Sequence, residues 1–149
     1  MRRTVVFLLC FALVAAGWAG SARAGFEEID YATFDARVTD TKGVVTELGD
    51  FGHATGPNVL MGYRGDADVE IPWRLIRVID LRDYAPENRR APVKVTLRNG
   101  KSVDLEIDNV EGMRLVKGAA EFGDFRIRFG KIRRLELFAL SHTDRSTVE

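Results

Sequence analysis

Four groups of residues in this chain have types and spacings that could do chemistry. Asp50-Phe51-Gly52 spells the magnesium-binding tripeptide of protein kinases, and Arg64-Gly65-Asp66 spells an integrin-binding one. Asp66, Asp68 and Glu70 stand two apart, so a strand would hold three carboxylates on one face, the oxygen-rich setting that calcium favours. A fourth set is basic: Arg126, Arg128, Lys131, Arg133 and Arg134.

Three of these weaken on inspection. A kinase also needs a Gly-rich loop, a strand lysine and an HRD loop, and the chain has none, so Asp50-Phe51-Gly52 reads as a strand end and a glycine turn. Arg-Gly-Asp is ordinary turn composition and reads as the turn before a strand. The three carboxylates lack the fuller acidic spacing of a calcium loop and read as a solvated face. His53 lies in "DFGHATGPN", a glycine-rich stretch that reads as a mobile loop, and His142 lies in a polar tail. Two such histidines do not make the three or four converging ligands of a zinc site. Ser102 follows a turn with no histidine or acid at a nucleophile's spacing. The expectation is no catalytic residue, no metal and no cofactor.

The basic set is different. Arg126 and Arg128 share the outward face of a strand whose inward face is Phe125, Ile127 and Phe129. Such a face suits anionic lipid headgroups, acidic envelope polymers, a partner protein's acidic surface or this chain's own acidic half; the plainer reading is a solvated surface.

The ends say where that chemistry would act. Arg2 and Arg3 precede the apolar run "TVVFLLCFALVAAGWAG", and Ala22-Arg23-Ala24 closes it with a small-x-small pattern. Residues 1–24 therefore read as a bacterial export signal cut before Gly25, and the product as periplasmic or secreted. An uncut segment anchoring the chain to the membrane is the alternative, although the run is short for a span of about 20 residues. The segment carries three arginines and no acid, which leaves 19 basic and 22 acidic side chains, a net charge of −3. Cys10 is the only cysteine, so the exported product has neither disulfide nor thiol chemistry. Charge is divided: residues 25–88 hold 6 basic and 13 acidic side chains, residues 89–149 hold 13 and 9.

The elements that must position these residues repeat. "DVEIPWRLIRVIDL" at 68–81 returns as "DFRIRFGKIRRLEL" at 124–137, an offset of 56, and an offset of 57 pairs Val38 with Val95, Gly43 with Gly100 and Leu48 with Leu105. Alternating apolar residues on both sides of Asn99-Gly100 predict a hairpin with positive φ at both turn residues, and "DTKG" takes that place in the first copy. Val69, Ile71 and Trp73 alternate as an inward strand. Ile76 then falls three residues later, which predicts a single 3₁₀ turn before the strand resumes, and Phe125 to Ile132 repeat the scheme. Pro72 has no ladder donor, which predicts an edge or a bend.

Strand, 3₁₀ turn, strand resembles the close of a small β-barrel of the Sm-like or SH3-like kind, over about residues 34–83 and 92–140. The phrase also resembles one in exported bacterial proteins of unassigned role. Arg128 and Gly130 depart from its proline pattern, so the resemblance implies architecture and not chemistry. Sm-like barrels often bind RNA, but an export segment and net negative charge argue against nucleic acid. The expected fold is all-β: two tandem small barrels or strongly bent sheets at 25–83 and 92–140, a linker at 84–91 and a polar tail at 141–149. One repeat of about 50 residues is a marginal domain, which predicts two lobes docked on each other. The expected function is a non-enzymatic envelope interaction or assembly module, with an envelope protein or anionic polymer or headgroups as partner; the alternative is a wall or glycan hydrolase using carboxylates.

Overall fold

The structure, a computed structural model, describes residues 31–81 and 89–140. The export segment, most of the linker, the polar tail and His142 lie outside the described residues. The described chain is all-β. In chain order it forms β1 (Phe34–Asp40), β2 (Val45–His53), β3 (Val59–Arg64), β4 (Ala67–Pro72), a 3₁₀ turn (Trp73–Leu75) and β5 (Ile76–Asp80). Then come β6 (Arg90–Leu97), β7 (Ser102–Asp108), α1 (Asn109–Met113), β8 (Leu115–Ala120), β9 (Gly123–Arg128), a second 3₁₀ turn (Phe129–Lys131) and β10 (Ile132–Leu140).

All ten strands join one antiparallel sheet in the order β4-β3-β7-β6-β5-β10-β1-β2-β8-β9, which does not close. The expected separate lobes are therefore replaced by interleaved strands. The β1–β2 hairpin pairs with β10, and β6–β7 pairs with β5, so strands from each segment complete the sheet of the other. Exchanging β1 through β5 for β6 through β10 reverses this order onto itself. One continuous core results, with Phe34, Phe51, Leu60, Trp73, Ile79, Ile107, Phe129 and Leu135 all buried. At its centre Trp73 stacks on Phe51 at 5.7 Å and on Phe129 at 6.4 Å, so both 3₁₀ turns feed the same aromatic cluster.

The turns follow local chemistry. Only Gly100, not Asn99, takes positive φ: Gly100 N–H bonds Leu97 O and Leu97 N–H bonds Lys101 O, a type I turn closed by a glycine bulge. Gly43 repeats it, bonding Asp40 O while Asp40 N–H bonds Val44 O. Gly65 and Asp66 form the two-residue turn between β3 and β4, with Gly65 at φ 64°. Asp50-Phe51-Gly52 lies inside β2 and not at its end. There Asp50 takes φ 49° and the register slips as β2 passes from β1 to β8. That kink carries His53, expected in a mobile loop, to the buried end of a strand.

Candidate functional site

Among the described residues three polar side chains are buried: His53, Asn58 and Glu111. An unpaired polar group there would cost free energy, so their partners explain their presence. Asn58 Oδ1 accepts the His53 N–H at 2.6 Å, and its Nδ2 donates to Ala32 O at 2.7 Å, holding the slipped end of β2. His53 Nε2 donates to Val59 O at 3.2 Å, which assigns the proton to that nitrogen, and its ring lies 4.4 Å from Trp73. Burial first, and the Arg114 charge second, lower its pKa to about 3, so His53 is neutral near pH 7. Its 4.0 Å approach to Glu111 Oε1 is therefore no ion pair.

Glu111 sits in the first turn of α1, which Asp108 caps by accepting the Glu111 N–H at 2.9 Å. Its carboxylate receives Arg114 Nη1 at 3.1 Å and the Met61 N–H. Burial still pushes its pKa up, outweighing the pull of Arg114 and Met61. Arg114 also donates to Val59 O and Pro57 O, each at 3.0 Å. One guanidinium thus ties the start of β8 to α1 and to the start of β3. The cluster is a latch; apart from His53 Nδ1, which meets no partner, its polar atoms are bonded to each other and to nearby backbone, which suits shaping a surface better than reacting.

A groove lies beside each of the two edge strands, and Glu111 and Arg114 of the latch line the first. One, about 330 Å³, runs along β3 and β4 and is lined by Met61, Tyr63, Asp68, Val69, Glu70, Asp108, Val110, Glu111 and Arg114 among others. The other, about 240 Å³, runs along β8 and β9 and is lined by Asp50, Lys117, Gly118, Ala119, Asp124, Phe125 and Arg126. The offset of 56 lays Gly62 on Gly118, Asp68 on Asp124, Val69 on Phe125 and Glu70 on Arg126. The grooves occupy equivalent places but differ in charge: the first is mainly acidic, and the second gains Lys117 and Arg126. In the first, Tyr63 Oη donates to Asp108 at 3.1 Å and the Arg90 guanidinium lies 3.8 Å over the Tyr63 ring.

The basic set is divided by the sheet. Arg126 and Arg128 are exposed on edge strand β9. The 3₁₀ turn bearing Lys131 then carries the chain to β10 in the middle of the sheet, where Arg133 is exposed. Arg134 is half-buried and held by Asp80 at 2.9 Å and Glu136 at 2.8 Å, so its charge is met within the fold. Asp68 and Glu70 lie on edge strand β4, with Asp66 in the preceding turn. Among the described residues no group of three or more His, Cys, Asp or Glu is arranged to hold a metal ion. Ser102 is exposed at the start of β7. The sequence reading passed over Glu111, Arg114 and Asn58. A signal for one of them was present: Asp108, three residues before Glu111, is the pattern that starts a helix.

Residues 30–139 match a protein-family model described as "Uncharacterised protein". No curated protein matches the chain.

Proposed function

The chain belongs to that family, and we propose that it is a non-enzymatic interaction module of the bacterial envelope, exported through residues 1–24, that docks partners along the open edges of its sheet. One observation carries the reading: β4 and β9 each have a single strand neighbour among the described residues, and each borders a groove. An open edge offers unpaired N–H and C=O groups to an extended partner, and flanking side chains select among partners. Charge supplies that selection here, acidic at β4 and basic at β9.

The duplication belongs to the same reading. The offsets of 56 and 57, the repeated element order and the reversible strand order support two barrel-like units that exchanged hairpins. Sharing one core offsets the small size of each unit, which no disulfide supports.

Capture from an envelope fraction tests the module, comparing wild type with Arg126→Glu/Arg128→Glu and with Asp68→Lys/Glu70→Lys. Loss of specific partners in one variant is expected; identical capture by all three rejects edge docking. Intact mass of the exported product tests the leader, since a chain starting at Met1 contradicts cleavage before Gly25.

The acidic groove favours a second reading, the carboxylate hydrolase. Asp68, Glu70, Asp108 and Glu111 share one concavity, and a raised Glu111 is the property of a general acid. Release of soluble glycan from purified wall, abolished by Asp108→Asn, would support it, whereas no release by wild type removes it.

A further inference from the structure

We infer that the partner of each edge is the opposite edge of a second copy of this chain, β4 docking antiparallel on β9. The inference rests on the edge-docking reading and names its partner. In an antiparallel ladder, residues that bond one neighbour alternate with residues whose N–H and C=O point to the other side. The Trp73 N–H to Asn58 O bond sets this parity for β4, so Val69 and Ile71 bond β3 while Asp68 and Glu70 face the open side. The Phe129 N–H to Arg114 O bond sets it for β9, so Phe125 and Ile127 bond β8 while Asp124, Arg126 and Arg128 face outward. With ten antiparallel strands the two edges run in opposite directions. A second copy in the same orientation therefore brings its β4 antiparallel to the first copy's β9.

Only registers that oppose outward residues make ladder bonds, and few remain for strands of six residues. One of them sets Asp68 opposite Arg128 and Glu70 opposite Arg126. It also sets Val69 opposite Ile127 and Ile71 opposite Phe125, so the apolar faces continue together. A shift one way sets Glu70 against Asp124. A shift the other way keeps one opposite-charge pair, Glu70 with Arg128, and leaves Asp68 beyond the end of β9. Pairing of β4 with β4 is disfavoured too, because it brings acid to acid, and like charges directly opposite destabilise a sheet. Two β9 strands can set Asp124 against Arg126, so the exclusion by charge belongs to the β4 edge.

Sedimentation equilibrium of the exported chain at low and high salt tests this. Wild type should self-associate with rising concentration, and more strongly at low ionic strength. Asp68→Lys/Glu70→Lys makes both edges basic, and Arg126→Glu/Arg128→Glu makes both acidic. Each should associate about tenfold more weakly or worse, a change of ~1.4 kcal/mol. Mixed in equal amounts, the two variants again offer opposite edges and should recover wild-type association. Such recovery cannot come from two misfolded chains. A wild type that stays monomeric at low salt, association indifferent to both variants, or failure of the mixture overturns the inference. If self-association fails while envelope capture still depends on an edge, docking stands and its partner is another molecule; if both fail, docking falls too.

Discussion

His53 shows what one misplaced residue in a reading can hide. Its neighbours Gly52, Thr55 and Gly56 suggest a loop, yet a left-handed Asp50 and a slipped register aim the imidazole at Trp73. Nothing in local composition announces that slip, because it comes from β2 changing partners between β1 and β8. Burial has a pH consequence. The unfolded chain binds a proton at His53 below about pH 6.5, whereas the folded chain does so only near pH 3. The unfolded state therefore holds more protons between those values, and stability falls as pH drops through the window, by about 1.4 kcal/mol per unit. Glu111 acts in the opposite sense: its raised pKa makes its ionisation a cost to the fold as pH rises past the usual carboxylate range. Urea midpoints between pH 4.5 and 7 should fall toward acid for wild type and stay flatter for His53→Gln, whose amide can still donate to Val59 O. Equal slopes would show that the imidazole is not held neutral by the fold.

At the scale of elements, the joints decide most. β3 meets β7 through a single register pair, Tyr63 with Glu106, and a Cβ on Gly62 would stand 2.8 Å from Glu106 O. Its counterpart Gly118 packs against β2, where a Cβ would stand 3.1 Å from Gly49 O and from Leu48 Cβ. Alanine at either site should destabilise by about 1–3 kcal/mol, more at Gly62, where the backbone oxygen stands closer, at 2.8 Å against 3.1 Å. Thermal unfolding of both variants checks the order, and Gly118→Ala proving the costlier would contradict it. Arg114→Ala should cost about 3–5 kcal/mol, since Glu111 would be left buried and charged beside two carbonyls without their donor. Glu111→Gln/Arg114→Met should recover part of that loss; denaturant midpoints of the single and double variants show whether it does. Most strands, both 3₁₀ turns and the edge role of Pro72 were legible, because period-two alternation is written residue by residue. The latch was not, because Arg114 meets Pro57 and Val59 only when β8 and β3 are brought together by the rest of the sheet.

For the whole molecule, the repeat in the sequence and the division of the fold are separate matters. Residues 68–81 and 124–137 match by offset and suggest two lobes, whereas strand order assigns β6 and β7 to the neighbourhood of β3 and β5. Periodicity specifies what each strand is but not which half of the chain it joins, since hairpins of similar pattern can present similar edges to either partner. Interleaving has an energetic result: neither half can complete its sheet alone, and the Trp73–Phe129 stack between the two 3₁₀ turns is lost if the halves part. Unfolding of the described region should therefore be one cooperative transition, with calorimetric and van't Hoff enthalpies equal. Fragments spanning 25–83 and 89–149 should show few protected amides separately and regain them as a one-to-one complex. Exchange of equivalent hairpins also allows a half to fold against a second copy of itself, so a folded dimer of one fragment fits the same topology. A fragment that folds as a monomer does not, because its β1–β2 or β6–β7 hairpin would have had to return to its own segment.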